Sequence, residues 1–218
     1  MNARHPATGP AILLVIAKEP APGRVKTRLT PPYTPQEAAA LAEAALADTL
    51  HTVLQAPARR RVLVLDGAPG PWLPPGIDIV PQGSGGLDER IAAAFGHCDR
   101  GPALLVGMDT PQLTADLFAA VGRDDHDAWF GPATDGGFWA LGFADPARAA
   151  ALARGVPMST DRTGAIQRCR LVEAGLSVSD LPVLRDVDTA ADAAAVAACC
   201  APDSRFAATM NSLAEAGR

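Results

Sequence analysis

Lysine is nearly missing from this sequence: of 19 Lys and Arg residues only two are lysines, Lys18 and Lys26, and both fall in one short segment. Acidic residues number 24 and leave a formal net charge of −5, which argues against general nucleic-acid binding, where a basic surface must displace counterions. The four cysteines, Cys98, Cys169, Cys199 and Cys200, show no CxxC spacing and two are adjacent, so they read as reduced thiols rather than disulfides or zinc ligands. His5, His51, His97 and His126 form no spaced set that would suggest metal ligation or catalysis. No apolar run approaches the ~20 residues that span a bilayer. Met1 to Pro10 also lacks the parts of a secretory signal, so a cytoplasmic protein without membrane association is expected. A Walker A loop is absent too.

What is present is a composition 48% hydrophobic and 20% charged, that of a globular protein. A chain of this length buries roughly 70% of its unfolded surface, enough for a core without covalent staples. Ala11 to Ala17 is continuously apolar, as in a strand buried on both faces of a parallel sheet. Thr34-Pro35-Gln36-Glu37 supplies a capping box with Pro at the first helical position, and a helix is expected to about Leu54. Further strands are expected at Arg61–Asp66, Ile77–Val80, Ala103–Met108, Asp127–Gly131, Phe138–Gly142 and Leu181–Leu184. Helices are expected over Leu87–Cys98, Thr114–Val121, Asp161–Ala174 and Thr189–Cys199. The alternation predicts one α/β domain over residues 11–200, a Rossmann-like three-layer α/β/α arrangement around a mostly parallel mixed sheet. Residues 1–10 read as a disordered or extended start, and residues 201–218 as a tail or a loosely packed or swapped helix.

Open α/β sheets bind ligands beyond the carboxyl ends of their strands. After the first strand come Lys18, Arg24, Lys26 and Arg28 on a loop stiffened by Pro20 and Pro22. Four cations held together call for an anion, and a polyphosphate is the natural one, although a solvated basic loop would look similar. After the fourth strand, Asp109-Thr110-Pro111 offers a carboxylate placed to carry Mg²⁺, or else a simple turn cap. In Asp186-Val-Asp188-Thr189 the alternation points both carboxylates to one face, while Asp188 could instead cap the last helix. Gln82 and Gly83, in a glycine-rich turn, could let an amide read a base edge or form a plain flexible turn. Asp135-Gly136-Gly137-Phe138-Trp139 combines an unusual turn with two aromatics that wall a pocket or enter the core.

In this order the segments resemble the nucleotide-diphospho-sugar transferase superfamily, whose fold is called GT-A. Ala17-Lys-x-Pro-x-Pro-Gly-x-x-Lys-Thr-Arg-Leu29, Gly107-x-Asp-x-Pro111, Asp135-Gly-Gly137 and Asp186-Val-Asp-Thr189 look like the bacterial family known as arsenosugar-biosynthesis glycosyltransferases. The set is similar, more distantly, to 2-phospholactate guanylyltransferase. The resemblance implies Lys26 and Arg28 on nucleotide phosphates, Asp109 and Asp188 on Mg²⁺ or Mn²⁺, and Gln82 near the base. It further implies an acceptor pocket at Asp135 to Trp139, with Ser159 and Thr160 following a Met158 where that family more often has an aromatic.

Three activities are compatible with these residues. The one favoured by the number of cations is metal-dependent nucleotidyl transfer, in which a phosphate or phosphonate acceptor attacks a nucleoside triphosphate and expels pyrophosphate. Such an acceptor is already ionised and needs no general base. The second is glycosyl transfer from a nucleotide-diphosphate sugar, with Asp135 activating a hydroxyl acceptor. The third is a nucleotide-binding protein without turnover. In each, the partners are a nucleotide and a small molecule, and the protein is expected as a monomer or homodimer.

Overall fold

The computed structural model describes residues 9–216, so the expectation for residues 1–10 lies almost wholly outside the described residues. Its centre is a seven-stranded sheet in the order β3-β2-β1-β4-β6-β5-β7. The strands are β1 (Ala11–Lys18), β2 (Ala58–Asp66), β3 (Asp78–Pro81), β4 (Ala103–Val106), β5 (Ala128–Pro132), β6 (Phe138–Phe143) and β7 (Val178–Asp180). Only β6 runs antiparallel to its neighbours, β4 and β5; every other pairing is parallel. The expected three-layer, mostly parallel mixed sheet is therefore what forms.

Strand alternation builds the two cores. Leu13, Val15 and Ala17 of β1 face one side with Leu63, Leu65, Leu104, Trp129 and Trp139. There they meet α1 (Pro35–Gln55), whose start is fixed by the expected capping box between Thr34 and Glu37. Ile12 and Leu14 face the other side, with Val62, Val64, Leu105 and Phe143. They are covered by α2 (Leu87–Phe95), α3 (Ala149–Ala153) and α4 (Thr163–Glu173). Phe95 and Phe143 meet edge to face, with ring centroids 5.1 Å apart, and lock α2 to the sheet.

Four local readings are corrected. The last strand is Val178–Asp180, not Leu181–Leu184: Pro182 has no amide hydrogen to donate, although Leu181 and Leu184 still donate to the Phe130 and Pro132 carbonyls. The segment expected as a helix at Thr114–Val121 is only a 3₁₀ turn, Ala115–Phe118. The helix α3 had not been anticipated; Asp145 caps the Pro146–Arg148 turn that leads into it. Thr189, and not Asp188, caps α5 (Ala190–Ala197), accepting from the Asp192 amide and leaving Asp188 free of that task.

The C-terminal helix α6 (Arg205–Glu215) is docked on its own chain. Phe206 is fully buried among Leu41, Ala45, Val187 and Val196. Asp48 of α1 receives the Ser204 hydroxyl and the Arg205 and Phe206 amides at 2.7–3.0 Å. A carboxylate at a helix N-terminus satisfies orphan amides and opposes the helix dipole, so this contact fixes where α6 begins.

Candidate active site

The carboxyl ends of β1, β4 and β5 open onto one cavity of about 470 Å³. Lys18, Arg24, Lys26, Arg28, Gln82, Asp109, Asp135, Gly137, Phe138, Trp139, Ser159, Thr160 and Asp188 all line it, so most of the residues singled out from sequence converge. Gly83 and Gly136 do not. Gly83 packs on α2, where an added Cβ would lie 3.2 Å from Ala93 Cβ. Gly136, at φ 88°, makes the turn that lets the 159–164 segment stack on the Asp135 loop, its carbonyl accepting from the Gly164 amide at 2.8 Å.

Lys26 stands at the centre. Its side chain is only 9% exposed, and Nζ lies 2.9 Å from Asp109 Oδ1 and 3.3 Å from Asp188 Oδ1. Burial alone would lower its pKa, but the two carboxylates together outweigh burial and hold the ammonium above its ordinary value. Arg28 reaches the other oxygen of Asp188 at 3.2 Å while remaining mostly exposed. The carboxylates are brought together by the backbone: the Val187 amide donates to the Asp109 carbonyl at 2.9 Å, and Val187 is buried against α5 and α6. Alternation then turns Asp186 and Asp188 to the cavity, as expected.

Asp186 is the most perturbed carboxyl there. Burial, then the negative charges of Asp109 and Asp135, push its pKa up to about 7, with Lys26 opposing. Its Oδ1 is buried with no hydrogen-bond partner, and Asp109 Oδ1 has the Lys26 ion pair but no aligned hydrogen bond. Among the described residues, no three His, Cys, Asp or Glu side chains converge as a metal site. Mg²⁺ needs only one or two carboxylates when phosphate oxygens and water complete its shell, and hard, under-satisfied oxygens suit it. Asp109 Oδ1, which lacks an aligned hydrogen bond, and Asp188, whose two oxygens are ion-paired by Lys26 and Arg28, make a hard oxygen donor pair whose chemistry fits a magnesium or manganese ion.

Gln82 has its amide hydrogens committed to the Ala17 and Val64 carbonyls, at 2.7 and 3.2 Å. Its oxygen accepts from the Arg90 guanidinium at 3.4 Å and keeps one lone pair toward a ligand, so the base-reading expectation narrows to a single acceptor position. Trp139 is 2% exposed and donates to the Pro182 carbonyl, placing it in the core as much as in the wall.

Two features of the lining were not singled out from sequence. Arg90, on the first turn of α2, enters the cavity 3.5 Å from Asp66, a position marked beforehand only by the glycine-rich approach to that helix. Leu87 and Ile91 from the same helix, with Ile16, give an apolar flank. Among the described residues, Lys26 (φ 49°) and Ser159 (φ 59°) are the only non-glycine residues with left-handed backbone, and both line this cavity. Backbone of that kind concentrates where a site must hold side chains in place.

Comparison with known proteins follows the same outline. Residues 33–160 match the family described as "Uncharacterized protein conserved in bacteria (DUF2064)". The chain belongs to the DUF2064 family. No curated protein matches it. A structure from Desulfovibrio desulfuricans G20, provisionally described as a nucleotide-diphospho-sugar transferase, aligns at TM-score 0.84 with 24% identity over 93% of this chain and 94% of that one. The inositol-1-phosphate CTP transferase of T. maritima aligns at 0.53 with 13% identity, over 85% and 92% of the two chains. Rv0371C of Mycobacterium tuberculosis H37Rv, solved with manganese, aligns at 0.50 with 20% identity over 86% and 98%. At these identities the DUF2064 chain shares their fold, that of nucleotide-diphospho-sugar transferases. Among its described residues no helix is long and apolar enough to cross a membrane.

Proposed function

We propose that this DUF2064 protein is a divalent-metal-dependent transferase that takes a group from an activated nucleotide, and that the group is a sugar delivered to a hydroxyl-bearing acceptor. One observation carries the reading: the strand order divides the charges of the cavity. Lys18, Arg24, Lys26, Arg28 and Arg90 hang from the β1 and β2 side, whereas the wall built by β6, β5 and the 158–163 segment lines the cavity with Asp135, Phe138, Met158, Ser159, Thr160 and Thr163, and the arginine of that segment, Arg162, is exposed outside the lining. A nucleotide's phosphates belong at the first wall. An ionised phosphate acceptor has no counter-ion at the second, beside Asp135 and Asp186.

The cation count that favoured a triphosphate also weakens once partners are counted. Lys26 and Arg28 are ion-paired by Asp109 and Asp188, and Arg24 lies 3.8 Å from Glu19. Five cations face Asp109, Asp135, Asp186 and Asp188 in the lining. That near balance suits a diphosphate with one divalent cation. A bound metal on Asp109 and Asp188 would offset charge on the departing diphosphate.

In this reading Lys18 and Arg90 hold the diphosphate, and the apolar flank of Ile16, Leu87 and Ile91 lies against the base. Ser159, Thr160 and Phe138 position the acceptor. Asp135 has one oxygen fixed by the Gly137 amide at 2.8 Å. Its other oxygen takes the acceptor's proton as the hydroxyl oxygen bonds to the anomeric carbon and the bond from that carbon to the diphosphate breaks. The likeness to the Desulfovibrio structure agrees with this; the CTP transferase among the neighbours keeps nucleotidyl transfer as the second reading. Incubation with Mg²⁺, a panel of sugar nucleotides and simple polyols should release nucleoside diphosphate. Pyrophosphate release from a triphosphate, with no diphosphate from any sugar nucleotide, would favour the second reading instead.

A further inference from the structure

Lys26 occupies the same two oxygens, Asp109 Oδ1 and Asp188 Oδ1, on which the proposed metal would rest. An ammonium and a divalent cation cannot both sit in contact with one carboxylate pair without strong repulsion at short range. Nor is the lysine free to drift into solvent. Its side chain is nearly buried, and its backbone is held left-handed at the start of the Thr27–Leu29 turn. The four-carbon stem still lets the ammonium swing between nearby anions. In the same cavity, the anion that could receive it is a phosphate lying along Lys18, Arg28 and Arg90.

We infer that Lys26 is an internal counter-ion for the metal site: it neutralises Asp109 and Asp188 while the cavity is empty, and a nucleotide phosphate draws it off to admit the metal. Lys26 is thus a positioning residue that couples two binding events. Metal alone binds weakly because it must displace the ammonium. Nucleotide and metal bind cooperatively, and by linkage each raises the affinity for the other by the same factor. The arrangement keeps the metal from loading before a substrate is present. This inference rests on the metal assignment made above.

Mn²⁺ binding without nucleotide, followed by electron paramagnetic resonance on the full chain, tests it separately from turnover. Lys26→Met is expected to bind Mn²⁺ about tenfold or more tightly than the wild type, within the usual range of coupling factors. Lys26→Arg, which keeps the charge, should stay as weak as the wild type. Equal binding by the wild type and Lys26→Met would overturn the counter-ion role and leave the metal assignment standing. Absence of Mn²⁺ binding by Lys26→Met without nucleotide would overturn the counter-ion role, and absence from all three proteins even with nucleotide present would overturn the metal assignment as well.

The scarcity of lysine supplies a second measurement on the unmutated protein, should Lys26→Met fail to fold. With ¹³C,¹⁵N-lysine, only Lys18 and Lys26 give side-chain signals. Titration with Mg²⁺ in the presence of a nucleoside diphosphate should move the Lys26 signals, as the ammonium passes from the two carboxylates to the phosphate. Lys26 signals that stay fixed across the titration would contradict the inference.

Discussion

The amide of Val187 donates to the carbonyl of Asp109 at 2.9 Å, joining the turn after β4 to the extended segment before α5. This bond fixes where three carboxylates face the cavity. It depends on main chain alone, so side chains at Asp109, Asp186 and Asp188 can be exchanged without undoing the frame that presents them.

Asp109→Asn should therefore abolish turnover, by at least ~100-fold, and weaken Mn²⁺ binding measured with nucleotide present. Removing one of two charge-stabilising groups from a site of this type carries losses of that order. The ligand-free melting temperature should stay close to wild type, since Lys26 keeps Asp188 as a partner at 3.3 Å. Undiminished activity would remove Asp109 from the site.

Stability without metal should depend on pH through Asp186. Its folded pKa, about 7, lies above the ordinary carboxyl value of 3.8, so the native state binds the proton more tightly than the unfolded chain. The resulting stabilisation is full below about pH 4 and is lost as pH rises through 7. In EDTA, the wild type should lose more melting temperature between pH 5 and 8 than Asp186→Asn, which cannot ionise. Parallel profiles for the two proteins would show that Asp186 is not the buried acid described.

Asp48→Ala should lower stability by about 1–2 kcal/mol, the usual cost of a lost helix cap, and leave nucleotide binding intact. The three bonds from Ser204, Arg205 and Phe206 to Asp48 fix the start of α6, none of whose residues lines the cavity. Chemical denaturation and a nucleotide titration on the same variant check both halves.

Gly136→Ala should impair acceptor use more than nucleotide binding. At φ 88° a side chain is strained, and the added Cβ would run into the Asp161 carbonyl, forcing apart the Asp135 turn and the 158–163 segment. Kinetics would show a raised KM for acceptor with little change for the nucleotide.

Much of this was legible beforehand because the signals were local. The apolar run of β1, the Thr34–Glu37 capping box and the alternation through Asp186 and Asp188 each follow from short-range geometry, and each appears as expected. What could not be read was long-range. Nothing in the sequence says that β6 inserts antiparallel between β4 and β5, yet that insertion sets the acidic wall apart from the basic loop. Lys26 read as a loop cation directed at nucleotide phosphates. Its burial between Asp109 and Asp188 exists only once residues far apart in the chain meet. Arg90 carries no local signal of its own, because its place in the cavity depends on how α2 lies on the sheet.

The most direct test of the central claim is thermal stabilisation by sugar nucleotides and nucleoside triphosphates, each with and without Mg²⁺. A ligand at one hundred times its dissociation constant adds about 2.7 kcal/mol to the native state, enough to raise the melting temperature clearly. The account predicts a shift selective for one nucleotide-diphosphate sugar, dependent on Mg²⁺ and lost in Asp109→Asn. No shift with any nucleotide, with or without metal, would contradict it.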